Sequence, residues 1–226
     1  MIEYAELGPA AAECAGFLRA TGQHADRFTE RFMTAASPGV IATILLSAQY
    51  RSHEDYVMAL AREMRKEYRL IHERGLILQV DCPDLAMERA RFFQHDSLDR
   101  FVQMVDLHVR AINQATEGIP ADRLRLHLCC GNYDAPHTHD VPLEAVLPVV
   151  LKARVGALSL PLANPRHQHE YRVLKQHRIP DGMLLLPGVI DTTTNYVEHP
   201  EVVADRIVAA VDAVGDRSRV IASTDC

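Results

Sequence analysis

Arg123–Asp140 reads RLRLHLCCGNYDAPHTHD. Leu124 to Cys129 alternates along its length, the period of a strand. His127 and Cys129 stand two apart, so both side chains point to the same face of that strand. An imidazole beside a thiolate is half of a zinc site; the bland alternative is a buried histidine beside an inert cysteine. Gly131-Asn132 marks a turn, so the strand ends just past these side chains, as a site at the mouth of a parallel sheet requires. A third residue comes from Arg219–Cys226, RVIASTDC: a short apolar strand, then polar residues and a cysteine. His127, Cys129 and Cys226 at the ends of different strands would make a His/Cys/Cys centre with an open position, the catalytic type of zinc site.

Outward from this stretch, strand and helix signals alternate. Upstream, Val40–Leu46 is β-branched and apolar and reads as a buried strand, and Leu76–Asp81 as a second that ends on a carboxylate. Between them, Ser52 with Asp55 three residues on forms a capping-box pattern. Val57, Leu60, Ala61, Met64, Tyr68 and Ile71 then make one apolar helical face, closed by Gly75. Another helix runs from Asp99 to about Thr116, striped by Phe101, Val105, Val109 and Ile112. Residues 1–33 are mostly helix-forming, with a second short helix through Phe28–Phe32.

Downstream, Pro142 suits the first turn of a helix to about Arg154, and Ala157–Leu160 is a short strand. Asn164-Pro165-Arg166 turns into a polar helix through Gln176. Met183–Leu186 is a strand leading to Pro187-Gly188 and Asp191. Pro200 starts the last helix, with Val203, Ile207, Val211 and Val214 on one side, and Val220–Ser223 is the last strand. Alternation about six times over, with no linker, predicts one α/β domain over residues 1–226 with a parallel sheet. Asp81, His127, Cys129, Asn164, Asp191 and Cys226 gather after strand ends, where a (β/α)8 TIM-type barrel places its active site. A doubly wound sheet would normally show a glycine-rich phosphate loop, and neither G-x-G-x-x-G nor G-x-x-x-x-G-K-[ST] occurs.

The chain has 226 residues, enough for one large domain with its own core. A net charge of −6 and no run of Lys or Arg argue against nucleic acid or anionic membrane as partners. No apolar run approaches the roughly 20 residues that span a bilayer, and MIEYAELGPA is not a signal peptide. Five cysteines, an odd number without disulfide-type spacing, point to a reducing, cytoplasmic setting.

His127-Leu-Cys129, GNYDAPHTHDVPLE (Gly131–Glu144), ANPRHQHE (Ala163–Glu170), PGVIDTTTNYVEHPE (Pro187–Glu201) and RVIASTDC resemble the catalytic domain of cobalamin-independent methionine synthase. They look closest to the short single-barrel relatives, a group that includes epoxyalkane:coenzyme M transferase. MTAASPG (Met33–Gly39) and LQVDCPDLA (Leu78–Ala86) are similar to family segments too. The resemblance implies a TIM-type barrel and zinc-dependent transfer of a methyl or other alkyl group to a small-molecule thiol. Thiol addition to an epoxide, or a non-catalytic zinc-binding barrel, are the alternatives. His127, Cys129 and Cys226 match the family's ligands. Asp81 falls where methionine synthases have an aspartate that contacts the substrate's amino group, and is expected to position substrate. Asp191 and His199 are further candidates for catalysis, and Asn132, Asn164, Arg166 and His167 for substrate binding; Glu198-His199 equally suits a helix cap before Pro200.

This chain departs from the family in three respects. The zinc-ligating glutamate of methionine synthases would fall near Pro161, and no carboxylate stands there. Their proton-donor histidine would fall near Thr192–Thr194, where there is none. The first strands and the last helix of the family's barrel are not found. About six strands leave two edges exposed. The expectation is a fragment of a longer protein, or a homo-oligomer that completes the barrel by pairing chains, with weak activity from this chain alone.

Overall fold

Buried strands joined by amphipathic helices give the chain its architecture. A computed structural model describes residues 2–133 and 136–226. Six strands form one sheet: β1 (Phe32–Ala36), β2 (Ile77–Cys82), β3 (Leu124–Leu128), β4 (Ala157–Leu160), β5 (Leu184–Ile190) and β6 (Ser223–Thr224). Every pairing is parallel and the spatial order is the sequence order, β1 to β6. A doubly wound sheet reverses its strand order at a switch point. Strict sequential order instead curls the sheet one way, so the chain is an α/β half-barrel of the TIM type.

The helices are α1 (Gly8–Gly22), α2 (Pro38–Ile44), α3 (His53–Glu73), α4 (Glu88–Arg91), α5 (Leu98–Ala115), α6 (Leu143–Val150), α7 (Tyr171–Gln176) and α8 (Pro200–Val214). The apolar stripe read on α3 is buried from Val57 to Ile71, and that on α5 from Phe101 to Ile112. Ser52 caps α3 by accepting the Asp55 N–H at 3.0 Å. His199 caps α8, its Nδ1 accepting the Glu201 N–H at 3.2 Å.

Four assignments change, the last strand among them: Val220–Ser223 was expected, and β6 is Ser223–Thr224, with Val220 in an isolated bridge to Leu185. Val40–Leu46, expected as a strand, is mostly α2. Ser37 accepts the Val40 N–H and Pro38 stands in the first turn, so a cap and a preset φ override β-branched propensity. Leu45 and Leu46 are left exposed. The strand is instead Phe32–Ala36, where the short helix through Phe28–Phe32 was expected to end. β5 also runs on through Pro187-Gly188 to Ile190. Proline is tolerated there because the ladder to β6 is interrupted: Leu185 bridges Val220, and pairing resumes at Gly188 with Ser223.

A buried polar latch holds the first helices over the β2 end. The Ser37 hydroxyl donates to Asp84 at 2.5 Å, Asp84 faces His108 Nδ1 at 2.9 Å, and His108 Nε2 lies 3.0 Å from His53 Nε2. A Cβ at Gly39 would run into both Asp84 and His108, so only glycine lets α2 sit this close.

Candidate metal centre

Parallel register builds the site as a row. Asp81 of β2 lies beside His127 of β3, and His127 beside Ser159 of β4, so the three share one face. Cys129, two residues beyond His127, returns to that face. Cys226 arrives just past β6. The ligand atoms of His127, Cys129 and Cys226 all lie within 4.8 Å of one another. Cys129 Sγ is 3.3 Å from Cys226 Sγ, and Cys226 Sγ is 3.5 Å from His127 Nε2.

These groups suit a soft divalent ion. Metal–sulfur bonds of about 2.3 Å and a metal–nitrogen bond of about 2.0–2.1 Å put tetrahedral S···S and S···N pairs about 3.8 and 3.6 Å apart. His127 Nδ1 is 3.1 Å from Ser159 Oγ. With Nδ1–H donating to that hydroxyl, the Nε2 lone pair faces the sulfurs, the arrangement ligating histidines adopt. The contact between the two sulfurs, together with burial, pushes the Cys129 thiol up, and the same contact pulls Cys226 down. The Gly131 N–H, 3.3 Å away, also donates to Cys129 Sγ.

Asp81 stands at the rim, Oδ1 4.0 Å from His127 Nε2, with its side chain 41% exposed. Burial pushes its carboxyl up, against the opposing pull of His127. Ser159 and Asp225 escaped the sequence reading. Asp225 accepts the N–H groups of Ala163 and Asn164, each at 2.8 Å, while its own N–H donates to Ile190 O at 3.1 Å. It fastens the segment bearing Cys226 to β4 and β5. Its position next to Cys226 was the available signal. Ser159 had none beyond its strand register.

A second group lies beyond β3, β4 and β5. Asn132, Asn164, Arg166, Thr192 and Thr193 line a cleft of about 370 Å³ with Tyr133 and His137. Asn132 Nδ2 donates to Thr192 Oγ1 at 2.8 Å. Asn164 Nδ2 donates to Asp191 at 3.2 Å, and its Oδ1 accepts Arg166 Nε at 2.8 Å. Burial would raise Asp191, but hydrogen bonds from Thr193 and Asn164 hold it below the usual carboxylate range. His167 does not line this cleft. It is buried between Asp140, at 3.3 Å, and Glu170, at 3.1 Å. Burial opposes its charge, yet bonds to Asp140, Cys130 and Glu170 push it up to about 12. His199 is exposed on its cap. Thus Asp81, His127, Cys129 and Cys226 come together; Asn132, Asn164 and Arg166 line a neighbouring cleft, with Asp191 bonded to Asn164; His167, between Asp140 and Glu170, and His199, capping α8, lie outside the lining of that cleft.

The fold and these side chains define a half-barrel α/β chain with an imidazole–thiolate cluster at the carboxyl ends of its strands. No family model matches the chain. It is 24% identical over 203 residues to 2-hydroxypropyl-CoM lyase of Xanthobacter autotrophicus, covering 78% of this chain and 50% of that protein. It is 27% identical over 192 residues to methionine synthase of Thermococcus kodakarensis, covering 84% and 48%. A B12-independent methionine synthase from a Shewanella species, solved with selenomethionine, superposes with a TM-score of 0.74 at 21% identity, over 100% of this chain and 61% of that one. The chain spans about half the length of these two sequence relatives. These likenesses accord with the resemblance that the sequence motifs carry to the cobalamin-independent methionine synthases.

Proposed function

We propose that the chain carries the centre of a zinc-dependent transferase that moves a methyl or other alkyl group to a small-molecule thiol. The observation that carries this reading is the convergence of His127, Cys129 and Cys226 at strand ends. Bound zinc would supply a Lewis acid that keeps a substrate sulfur deprotonated and nucleophilic near neutral pH. The chain's own residues do the rest. Ser159 orients His127, Asp225 holds Cys226 in reach, and Asp81 stands at the rim where a substrate enters. The cleft of Asn132, Asn164 and Arg166 offers donors to a polar end of substrate, with Asp191 anchoring Asn164. The Thermococcus relative supports methyl transfer. The Xanthobacter relative supports a second reading, thiol addition to an epoxide.

Domain completion belongs to the same proposal. Among the described residues β1 and β6 each pair on one side only, and unpaired edges invite further strands or a second copy of the chain. No described helix is long and apolar enough to cross a membrane, consistent with a cytoplasmic protein acting on small molecules.

Elemental analysis of the purified chain tests the centre. About one zinc per chain, lost in Cys129→Ala and in Cys226→Ala, is the expected result. No zinc in the parent would overturn it. Turnover with methyl donors but not epoxides would select the first reading, and the reverse the second.

A further inference from the structure

His53, at the start of α3, and His108, inside α5, meet nitrogen to nitrogen. Their Nε2 atoms lie 3.0 Å apart and their ring centres 5.3 Å apart, so each nitrogen points at the other. That line suits one N–H···N bond. It does not suit a shared metal ion, on which both lone pairs would converge from an angle. The contact therefore holds a single proton, donated by one Nε2 and accepted by the other.

The rest of the pair's surroundings is tight. His108 and Asp84 are both fully buried, with His108 Nδ1 2.9 Å from the carboxylate, so Asp84 matches one positive charge on the pair. A second charge would set two N–H groups head to head at a largely buried contact. Ser37 ties this arrangement to the strand ends: its hydroxyl donates to Asp84 and its N–H donates to Asp81 O at 3.0 Å. Nearby stand Glu88 of α4, which Thr43 bonds, and an exposed Glu54–Arg110 ion pair that joins α3 to α5. Asp81, Cys82 and Tyr68 act on the pair only through Asp84. Among the described residues none of these hydrogen-bonds either ring. Burial, and then His108, pull His53 below its ordinary value, against Asp84. Its contribution to stability is therefore full above about pH 6.5 and is lost as pH falls below it.

We propose that the His53–His108 pair is an acid-released catch. With one proton between the rings it holds the start of α3 on α5; when acid charges both rings it releases that helix start and residues 45–52 before it. Those residues join α2 to α3, so the catch sets how firmly α2 is seated beside the strand-end rim. The proposal stands whether or not the centre binds zinc.

Hydrogen–deuterium exchange of the whole chain, corrected for the intrinsic pH dependence of exchange, tests it. In the parent, protection at the start of α3 should fall by up to about tenfold per pH unit between about pH 6.5 and 5, the limit for one proton. In His53→Gln, whose amide still donates to His108 but takes up no proton, protection should stay level. Nitrogen NMR of the parent gives a second reading that needs no variant. One of the two Nε2 atoms should carry a proton at about pH 7.5, and both at about pH 5. Equal exchange profiles in parent and His53→Gln would overturn the catch, as would a parent with one protonated Nε2 at both pH values.

Discussion

Replacing Asp225 with alanine should cost the chain its metal before it costs the fold. Asp225 is 2% exposed and accepts two backbone N–H groups at 2.8 Å. Each is a charge-assisted bond of about 1.5–3 kcal/mol. Against this, burial already pushes the Asp225 carboxyl up, so removing the charge relieves part of a desolvation penalty. The net is about 2–4 kcal/mol, and it falls on one short segment. β6 has two residues, so little besides Asp225 docks Cys226. Metal affinity should therefore drop about 10–100-fold, or about 1.4–2.7 kcal/mol. Competition with a chromophoric chelator reads the affinity; urea unfolding of the metal-free protein should shift far less. Gly188→Ala is an independent route, because a Cβ there would overlap the Asp225 carboxylate and lie 2.7 Å from its Cα. Parent-like metal affinity in Asp225→Ala would refute the clamp.

Four other outcomes follow from the same geometry. Ser159→Ala should weaken zinc binding about 10–100-fold by freeing the His127 ring, measured by the same competition; unchanged affinity would show that Ser159 does not orient it. Gly39→Ala should destabilise by about 1–3 kcal/mol in urea unfolding, by forcing apart α2 and the Asp84–His108 pair; a parent-like midpoint would refute that close approach. Glu88 is buried and pushed up to about 8 from 4.5, chiefly by burial, against the pull of its bond from Thr43. The folded state then holds that proton more tightly than the unfolded, so this group's contribution is full below about pH 4.5 and is lost as pH rises towards 8; Glu88→Gln should stay stable at pH 9 where the parent weakens, and parallel pH profiles would sink the idea. His167, pushed up to about 12, should show both ring nitrogens protonated by nitrogen NMR at pH 8; a neutral tautomer would refute the buried ion cluster.

How much of this was legible depended on whether the signal was local. The α3 and α5 stripes at helical spacing, and β2, β3 and β4 as apolar runs, were read directly because each face is buried by its own period. Val40–Leu46 misled because apolar run length does not distinguish a buried strand from a short buried helix; the deciding signal, Ser37-Pro38, sat just upstream. His127 and Cys129 were readable from a spacing of two, and Cys226 from its place after a strand. The pairing of His127 with Ser159, and of Asp225 with the β4 end, depends on strand register, which one chain read alone does not supply. Where His167 and His199 sit, between two carboxylates and on a helix cap, was not legible, because histidine clusters carry the same letters whether they face a cleft or pack among carboxylates.

The centre and the curl of the sheet are one statement about the chain. Cys129 follows β3 and Cys226 follows β6, three strand positions apart in the sheet order. In a flat sheet three spacings amount to about 14 Å, far beyond the reach of two cysteine side chains. Their sulfurs are 3.3 Å apart, so the inward faces of β3 and β6 must turn towards each other across the lumen. Consecutive parallel strands with no reversal of order provide that turn. A chain with the same motifs on a flat sheet would keep His127 beside Cys129 and lose Cys226 from the cluster. Metal affinity that depends on both cysteines is therefore a test of the barrel as much as of the ligands.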